Sequence, residues 1–157
     1  VIGGGDWAED RIVPDCIRAL QNEAPIVIRN PSACRPWQHV LEPLYGYMRL
    51  GSMMKIADSK NDLQPLCSAF NFGPAPDSNR TVDALVNEVL SHWSGTKEYA
   101  PTSSALHEAT LLHLSTNKAE SILKWKPIWN FESTIQRTVS WYKRNLNGES
   151  ASDITAE

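Results

Sequence analysis

The sequence has little of what several classes of protein depend on. Its 157 residues contain only three cysteines, Cys16, Cys34 and Cys67, which lack the close paired spacing of a zinc site or a disulfide framework. We therefore expect reduced thiols, as in the cytoplasm. No apolar run is long enough to span a bilayer, and no charged start precedes a hydrophobic stretch with a cleavage site. The sequence thus predicts a cytoplasmic protein without a membrane partner.

Charge and histidine spacing argue against two further functions. The formal net charge is -3, and Lys and Arg form no run, so we expect no nucleic-acid partner. His39, His92 and His113 have no mutual spacing that suggests a metal, which predicts no metal site. With 41% hydrophobic residues the chain can bury one modest core, so we expect one domain or one large piece of one.

Three consecutive glycines stand near the start, but not in the spacing of a dinucleotide fingerprint. Val1 and Ile2 run directly into Gly3-Gly-Gly5, which is typical of a strand entering a loop. A fingerprint needs glycines spread through a strand-to-helix turn and an acidic residue further on. If this first strand lacks upstream neighbours, some apolar surface should be exposed.

Hydrophobic periodicity predicts a mixed order of helices and short strands. Asp10 is expected to cap a helix that ends near Asn22, and Thr81 is expected to cap one that runs to Trp93. A helix from about Val40 has a wide apolar face, which predicts burial on much of its surface. The remaining pattern predicts strands at 25–29, 66–72 and 111–114, a polar loop at 58–62, a turn at 73–79, a helix that ends at Leu123 and a final helix through Leu146.

Arg35 is the most informative candidate for a binding residue. A short apolar strand and a turn place it two residues before Trp37. A guanidinium offers a planar fork of donors to phosphate oxygens, and Trp37 could exclude water or stack on a flat group. A surface turn in which Arg35 pairs with a carboxylate explains these residues equally well.

For other side chains too, a binding role and a purely structural role are both compatible with the sequence. Arg11 stands in the first turn of the predicted helix, where the helix dipole slightly opposes a solvated cation. Arg80 lies between a Pro-rich turn and a helix N-terminus, where a second phosphate cation would be well placed; an exposed loop Arg is the competing reading. Trp7 and Trp37 are candidates for base stacking, whereas we expect packing anchors at Trp125, Trp129 and Trp141.

Short motifs follow one another through nearly the whole chain: Gly3-Gly-Gly-Asp6, Ile12-Val-Pro14, Ala19-Leu20, Pro25-Ile-Val-Ile28, Arg35, His39-Val40, Phe70-Asn-Phe-Gly73, Lys124-Trp-Lys-Pro127 and Val139-Ser-Trp-Tyr142. This order resembles the C-terminal half of an extended short-chain dehydrogenase/reductase that acts on nucleotide sugars. Other details most resemble the dehydratases of CDP-linked glucose, namely Gly5-Asp-Trp-Ala-Glu-Asp-Arg11, Arg29-Asn-Pro31, the segment 35–43 and Leu106-His-Glu-Ala109. A common relative has Arg-Asp where this chain has Arg35-Pro36, which favours the CDP-sugar branch.

The resemblance implies a mixed α/β fold that forms the substrate-binding C-terminal part of such an enzyme and lacks most of the Rossmann sheet. Residues 1–147 would be this part, and 148–157 a flexible tail. In the complete enzyme NAD would take hydride from C4 of the glucosyl ring, water would leave across C5 and C6, and the hydride would return to C6. The NAD loop and a Tyr-x-x-x-Lys pair are absent from these residues, so the resemblance implies that NAD binds mainly to a missing N-terminal portion. This chain alone should be inactive, and the complete enzyme should be a homo-oligomer.

The resemblance also assigns roles to single residues. Arg35 matches the arginine that relatives use on the diphosphate, and Arg11 matches a basic substrate contact. His107 and Glu108 lie in a stretch that relatives place at the rim of the substrate pocket, although an ordinary polar loop is an alternative. Val27, in the strand Ile26-Val-Ile28, could offer its main-chain donor and acceptor to the pyrimidine. Two other functions stay open: a dehydratase or epimerase for a GDP-, UDP- or dTDP-sugar, and a non-catalytic nucleotide-sugar-binding or interaction fragment.

Overall fold

The computed structural model describes residues 1–101, 112 and 114–157 and is a mixture of helices and short strands. In chain order these are α1 (Ile12–Gln21), β1 (Ile26–Ile28), β2 (Cys34–Pro36), α2 (Leu41–Ile56), α3 (Lys60–Leu63), a 3-10 turn (Pro76–Ser78), β3 (Asn79–Thr81), α4 (Val82–His92), β4 (Lys97–Tyr99), α5 (Asn117–Leu123), α6 (Phe131–Leu146) and α7 (Ala151–Ala156). The strands form two small sheets. β1 pairs in parallel with β4, and β2 pairs antiparallel with β3.

The larger core lies where α1, α4 and α6 pack around β1. Its helices contribute apolar residues at helical spacing, which is why they bury one face each. Thr81 caps α4 as predicted, because its side-chain oxygen accepts a hydrogen bond from the Ala84 N–H. The most fully buried members of this core are Cys16, Ile17, Ile26, Ile28, Leu85, Val86, Val89, Ile135, Val139 and Tyr142.

A second, smaller core lies between α5 and one side of α2. Trp125, which is 1% exposed, meets Phe72 edge to face, and Phe72 lies directly against Gly46 of α2. A Cβ at Gly46 would overlap the Phe72 ring, so the absence of a side chain lets the helix approach. The predicted packing role of Trp125 is confirmed by this burial.

The beginning of the chain pairs with the segment that precedes α2. Ile2 and His39 form an isolated parallel bridge, in which the Ile2 N–H donates to the Gln38 carbonyl and the Val40 N–H donates to the Ile2 carbonyl, both at 2.8 Å. The glycine loop that follows is held from the other end of the chain, since the Tyr142 hydroxyl donates to the Asp6 carbonyl. Only this isolated bridge stands where the sequence predicts the last residues of a strand, and a turn at Gly4 and Gly5 follows it.

Several local predictions are wrong. Asp10 does not cap α1, because Arg11 occupies the N-cap position, while Asp10 has a φ of 58° and pairs with Arg29 at 2.9 Å. Within the predicted polar loop, residues 60–63 form α3, whose cap is Ser59. Residues 66–72 form no strand, because their alternation is weak and Phe72 is drawn into the small core.

The prediction that α2 is buried on much of its surface is also wrong. Only Glu42, Pro43 and Gly46 are buried, on the side that meets the small core. The helix exposes Leu41, Leu44, Tyr45, Tyr47, Met48, Met54 and Ile56, of which Tyr47 meets the Phe72 ring of the small core edge to face. This agrees with the expectation that some apolar surface is left exposed.

Two further predicted segments are the strand at 111–114 and the tail at 148–157. The predicted strand at 111–114 lies partly outside the described residues, and its members Leu112 and Leu114 are not in a strand. The predicted flexible tail, 148–157, contains α7, which packs against α6. Ile154 of this helix is only 7% exposed. A domain boundary at residue 147 stays a prediction.

Candidate functional site

The candidate site is built on the ribbon of β2 and β3, which brings two arginines together. Arg35 lies directly opposite Arg80 in the antiparallel register. Directly opposed residues of an antiparallel pair project from the same face with Cβ atoms about 5 Å apart. Arg35 and Arg80, distant in sequence, are therefore neighbours on one side of the ribbon, and like charges in this arrangement repel each other.

The ribbon is fixed in place by main-chain contacts around it. Trp37 is 7% exposed and its indole N–H donates to the Arg80 carbonyl at 2.9 Å. The Arg35 guanidinium donates to the Cys34 carbonyl at 2.9 Å. Burial of Trp37 in the larger core excludes the predicted stacking of its ring on a flat ligand, and its role is instead to hold the strand that carries Arg80.

The start of α4 adjoins the ribbon and carries a polar network. Asp83, in the first turn, accepts hydrogen bonds from the Lys97 ammonium and the Tyr99 hydroxyl of β4. The hydrogen bond from Lys97 lowers the pKa of Asp83, and the same bond raises the pKa of Lys97. This network joins the first turn of α4, which follows β3 directly, to β4.

Val27 lies on the edge of the parallel pair. The Ile26 N–H donates to the Thr96 carbonyl, and the Ile28 carbonyl accepts from the Ala100 N–H. The backbone groups of both residues therefore face β4. Successive strand residues direct their backbone groups to opposite edges, so the N–H and C=O of Val27 lie on the edge away from β4. In the part of the chain that the structure describes, no strand follows on that edge.

Arg11 stands at the N-cap position of α1. Its guanidinium is 3.9 Å from Asp6 of the glycine loop, and its side chain is 65% exposed. His107 and Glu108 lie outside the described residues, so their predicted contacts stay predictions.

The glycine loop does not fit a dinucleotide. A Cβ at Gly4 would overlap the Trp141 ring, and one at Gly3 would lie 2.7 Å from a Val40 methyl group. The space around these glycines is thus filled by side chains of the protein rather than open to a pyrophosphate. Gly3 and Gly4 therefore do not form a cradle for a dinucleotide.

A cavity of 580 Å³ beside α6 contains residues that sequence reasoning did not single out for binding. Trp129 lies between two of them: the Arg137 guanidinium is 4.2 Å from its ring centroid, and the His39 ring meets it edge to face. His39 is 8% exposed, and burial, with Arg137 nearby, lowers its pKa to about 4. The sequence could have suggested this cavity only through the types of these side chains, because the residues lie far apart along the chain.

Glu42 is a second buried ionisable group that the sequence did not identify. It is 4% exposed, and one of its carboxylate oxygens accepts hydrogen bonds from the Ile128 and Trp129 N–H groups at 2.9 and 2.8 Å. It thereby fixes the segment before α6 to α2. A Glu in the first turn of a helix usually indicates only a favourable dipole contact, so its burial was not predictable.

Neither a metal-binding cluster nor a membrane-spanning helix is found among the described residues. No group of three or more His, Cys, Asp or Glu side chains there is arranged to hold a metal ion. No helix in this part of the chain is both long and apolar enough to cross a membrane.

Comparison with known proteins gives a close relative but no family model that matches. The chain is 38% identical over 150 residues to CDP-glucose 4,6-dehydratase of Salmonella typhimurium strain LT2. The match covers 95% of this chain and 40% of that enzyme, so the chain spans less than half the length of its relative. It is homologous to the C-terminal portion of that enzyme.

Solved structures agree on the fold. The chain superposes on dTDP-glucose 4,6-dehydratase from Bacillus anthracis, in complex with NAD, with a TM-score of 0.70 and 16% identity over 94% of this chain and 43% of that chain. UDP-glucuronic acid 4-epimerase from Bacillus cereus, also in complex with NAD, gives 0.69 and 14% over 96% of this chain and 44% of that chain. The predicted fold class, a mixed α/β C-terminal part of an extended short-chain dehydrogenase/reductase, is confirmed.

Proposed function

Since the chain is homologous to the C-terminal portion of CDP-glucose 4,6-dehydratase, we propose that it is the substrate-binding portion of such an enzyme and holds the nucleotide diphosphate of CDP-glucose. The complete enzyme would convert this substrate to CDP-4-keto-6-deoxyglucose with loss of water. The hydride chemistry of that reaction belongs to residues outside this chain.

The pairing of Arg35 with Arg80 is the observation that carries the proposal. The register places two guanidinium groups on one face of a short ribbon, and a pyrophosphate between them would turn their mutual repulsion into two charge-assisted contacts. Val27 offers the base a main-chain donor and acceptor on the neighbouring sheet edge.

Catalysis is not proposed for this chain by itself. The sequence has no Tyr-x-x-x-Lys pair, and the glycine loop is packed against Trp141 and Val40. Incubation with NAD and CDP-glucose should therefore give no 4-keto-6-deoxy product. Product formed by these 157 residues alone would contradict this division of roles.

Titration of CDP by calorimetry tests the site directly. Arg35→Ala and Arg80→Ala should each weaken binding by about 1.5 to 3 kcal/mol, roughly 10- to 150-fold, because each removes a charge-assisted hydrogen bond to phosphate. Lys126→Ala is the matched control, since it removes an exposed cation that pairs with Glu120 away from the ribbon. Unchanged affinity in both arginine variants would return Arg35 to the role of a surface ion pair.

The same titration with other nucleotides tests the base. If the backbone of Val27 reads cytosine, CDP should bind more tightly than UDP, dTDP or GDP. Preference for another nucleoside diphosphate, with the arginine dependence retained, would assign the chain to a dehydratase or epimerase for that sugar. Binding of none of them would leave the interaction-fragment alternative.

A further inference from the structure

Helix α6 has two faces with the same residue spacing, and only one of them belongs to the core. The buried face consists of Phe131, Thr134, Ile135, Thr138, Val139 and Tyr142. The second face is the same pattern displaced by two residues and consists of Ser133, Gln136, Arg137, Ser140, Trp141 and Arg144. This second face is mostly polar, carries two guanidinium groups and forms one wall of the 580 Å³ cavity.

Other parts of the chain close the cavity around this face of α6. Its remaining walls are the start of α2, the helix α7, the glycine loop and Trp129. A volume of 580 Å³ lies within the range of about 300 to 1,000 Å³ that is typical of sites for small molecules. Arg35, Arg80 and Val27 do not belong to its described walls, so this cavity is distinct from the candidate nucleotide site.

Arg137 is a cation of this cavity that pairs with no carboxylate among the described residues. Arg144, at the other end of the same face, is paired with Glu149 and Glu157, each at 2.6 Å. Arg137 instead lies over the Trp129 ring, 4.2 Å from its centroid. Stacking on a ring uses the face of a guanidinium and leaves its N–H donors for a carboxylate or phosphate.

The ring that carries Arg137 is itself fixed in place. The Trp129 N–H donates to the buried Glu42 carboxylate at 2.8 Å, and the His39 ring meets the indole edge to face with the centroids 4.8 Å apart. A guanidinium that rests on a fixed ring loses less conformational freedom when an anion binds. Burial keeps His39 neutral, with a pKa of about 4, so the positive charge at this end of the cavity belongs to Arg137.

The polar groups of the cavity indicate the class of compound that it suits. Its indole rings are already engaged by the protein, since Arg137 lies over Trp129, and Trp141 packs against Gly4. The cavity offers instead one guanidinium for an anion, together with two serine hydroxyls and the Gln136 amide. Hydroxyl and amide groups both donate and accept hydrogen bonds, as the hydroxyl groups of a sugar do. This set favours a compact polyhydroxylated anion over a nucleobase.

We propose that this cavity binds a small polyhydroxylated compound with one phosphate or carboxylate group, such as a sugar monophosphate or a sugar acid. Arg137 holds the anionic group, and Ser133, Gln136 and Ser140 contact the hydroxyl groups. The site is separate from the one proposed for CDP-glucose and does not depend on that proposal.

Titration of three compounds into the 157-residue chain by calorimetry tests the ligand class. Glucose 6-phosphate and gluconate carry the two kinds of anionic group, and glucose carries none. At least one of the two anions should bind, and glucose should bind at least roughly 10-fold more weakly, because it cannot form a charge-assisted hydrogen bond with Arg137. The stronger anion identifies the preferred group. Binding of neither anion at millimolar concentration, or equal binding of glucose, would overturn the proposal.

Substitutions on α6 test the role of Arg137. Arg137→Ala should weaken binding of the anion by roughly 10-fold or more, and Arg137→Lys should weaken it less, because an ammonium keeps the charge but not the planar fork. Lys143→Ala is the matched control, since Lys143 is also a cation of α6 and lies 5.9 Å from the centroid of the Trp93 ring, but does not line the cavity. Unchanged affinity in Arg137→Ala, or an equal loss in Lys143→Ala, would contradict the assignment.

The indole N–H signals in NMR spectra locate the bound compound. Those of Trp129 and Trp141 should shift on titration, whereas that of Trp125, which is 1% exposed in the small core, should not. Arg35→Ala should leave the affinity for the anion unchanged. A loss there as large as in Arg137→Ala would place the compound on the arginine ribbon and sink the proposal.

The proposed function can fail independently of this site. A chain that binds the anion through Arg137 but does not bind CDP would keep the cavity site and remove the nucleotide assignment. A chain that binds CDP through Arg35 and Arg80, with no response of Trp129 to either anion, would do the reverse.

Discussion

A single buried imidazole, His39, makes the stability of this chain depend on pH. Burial lowers its pKa from 6.5 to about 4 in the folded state, and the Arg137 guanidinium adds to this effect. The unfolded chain binds more protons between these two pH values, so stabilisation by neutral His39 is complete above pH 6.5 and is lost as the pH falls toward 4. The loss should be roughly 3 kcal/mol. Urea unfolding at several values between pH 7.5 and 4 measures it.

The control for this prediction removes the titration and keeps a polar side chain of similar length. His39→Gln should unfold with a shallower dependence on pH over the same range, while carboxylates titrate alike in both proteins. An identical slope in the variant would mean that His39 is not the responsible group.

The roles of single residues were only partly readable from the sequence. Arg35 and Arg80 were each proposed as phosphate contacts, but their register was not foreseeable, because nothing in either segment specifies a partner strand so distant in the sequence. Trp37 was proposed as a stacking surface, and its burial shows that an aromatic ring beside a proline carries no information about which face of the chain it occupies.

Substitution of alanine for each of the two glycines of α2 should change the free energy of unfolding in opposite directions. Gly46→Ala should lower the free energy of unfolding by about 1 to 3 kcal/mol, because the new methyl group would overlap Phe72. Gly51→Ala should raise it by roughly 0.5 to 1 kcal/mol, because a Cβ there meets nothing within 4 Å and alanine favours the helix. Chemical denaturation of both variants measures the difference. Similar effects at the two positions would contradict the packing of Phe72 on α2.

Helices were more predictable than strands. The apolar spacing of α4 and its Thr81 cap gave both its existence and its start. The strands β2, β3 and β4 have three residues each and read Cys-Arg-Pro, Asn-Arg-Thr and Lys-Glu-Tyr, so they lack the alternation on which strand prediction depends. These strands form because their backbones pair in the tertiary structure, and not because their residues have a local preference for strand conformation.

Removal of residues 148–157 should destabilise the whole fold. Ile154 of α7 is 7% exposed, and burial of an isoleucine side chain contributes about 2 kcal/mol, which sets the expected loss. The Trp141 indole N–H also donates to the Thr155 hydroxyl at 2.9 Å. Glu157→Gln is the control, since it removes only an exposed ion pair with Arg144 and should have a much smaller effect. A truncated chain as stable as the full one would support the flexible tail that the sequence predicts.

The architecture of the molecule followed from the resemblance more than from local patterns. The order of short motifs identified the C-terminal part of a nucleotide-sugar enzyme, which the 38% identity to CDP-glucose 4,6-dehydratase supports. Periodicity alone gave a wide apolar face for α2 but could not tell which side of the helix is buried in this chain. Three-dimensional contacts were needed to separate the two sides of that helix.

The bond from the Tyr142 hydroxyl to the Asp6 carbonyl joins residues 136 positions apart in the sequence. Translation proceeds from the first residue to the last, so the glycine loop leaves the ribosome long before the side chain that fastens it. Until α6 emerges, the loop and the Asp6 that pairs with Arg11 have no anchor from that helix. Emergence of α6, rather than folding of α1, therefore sets the moment at which the glycine loop acquires its final shape.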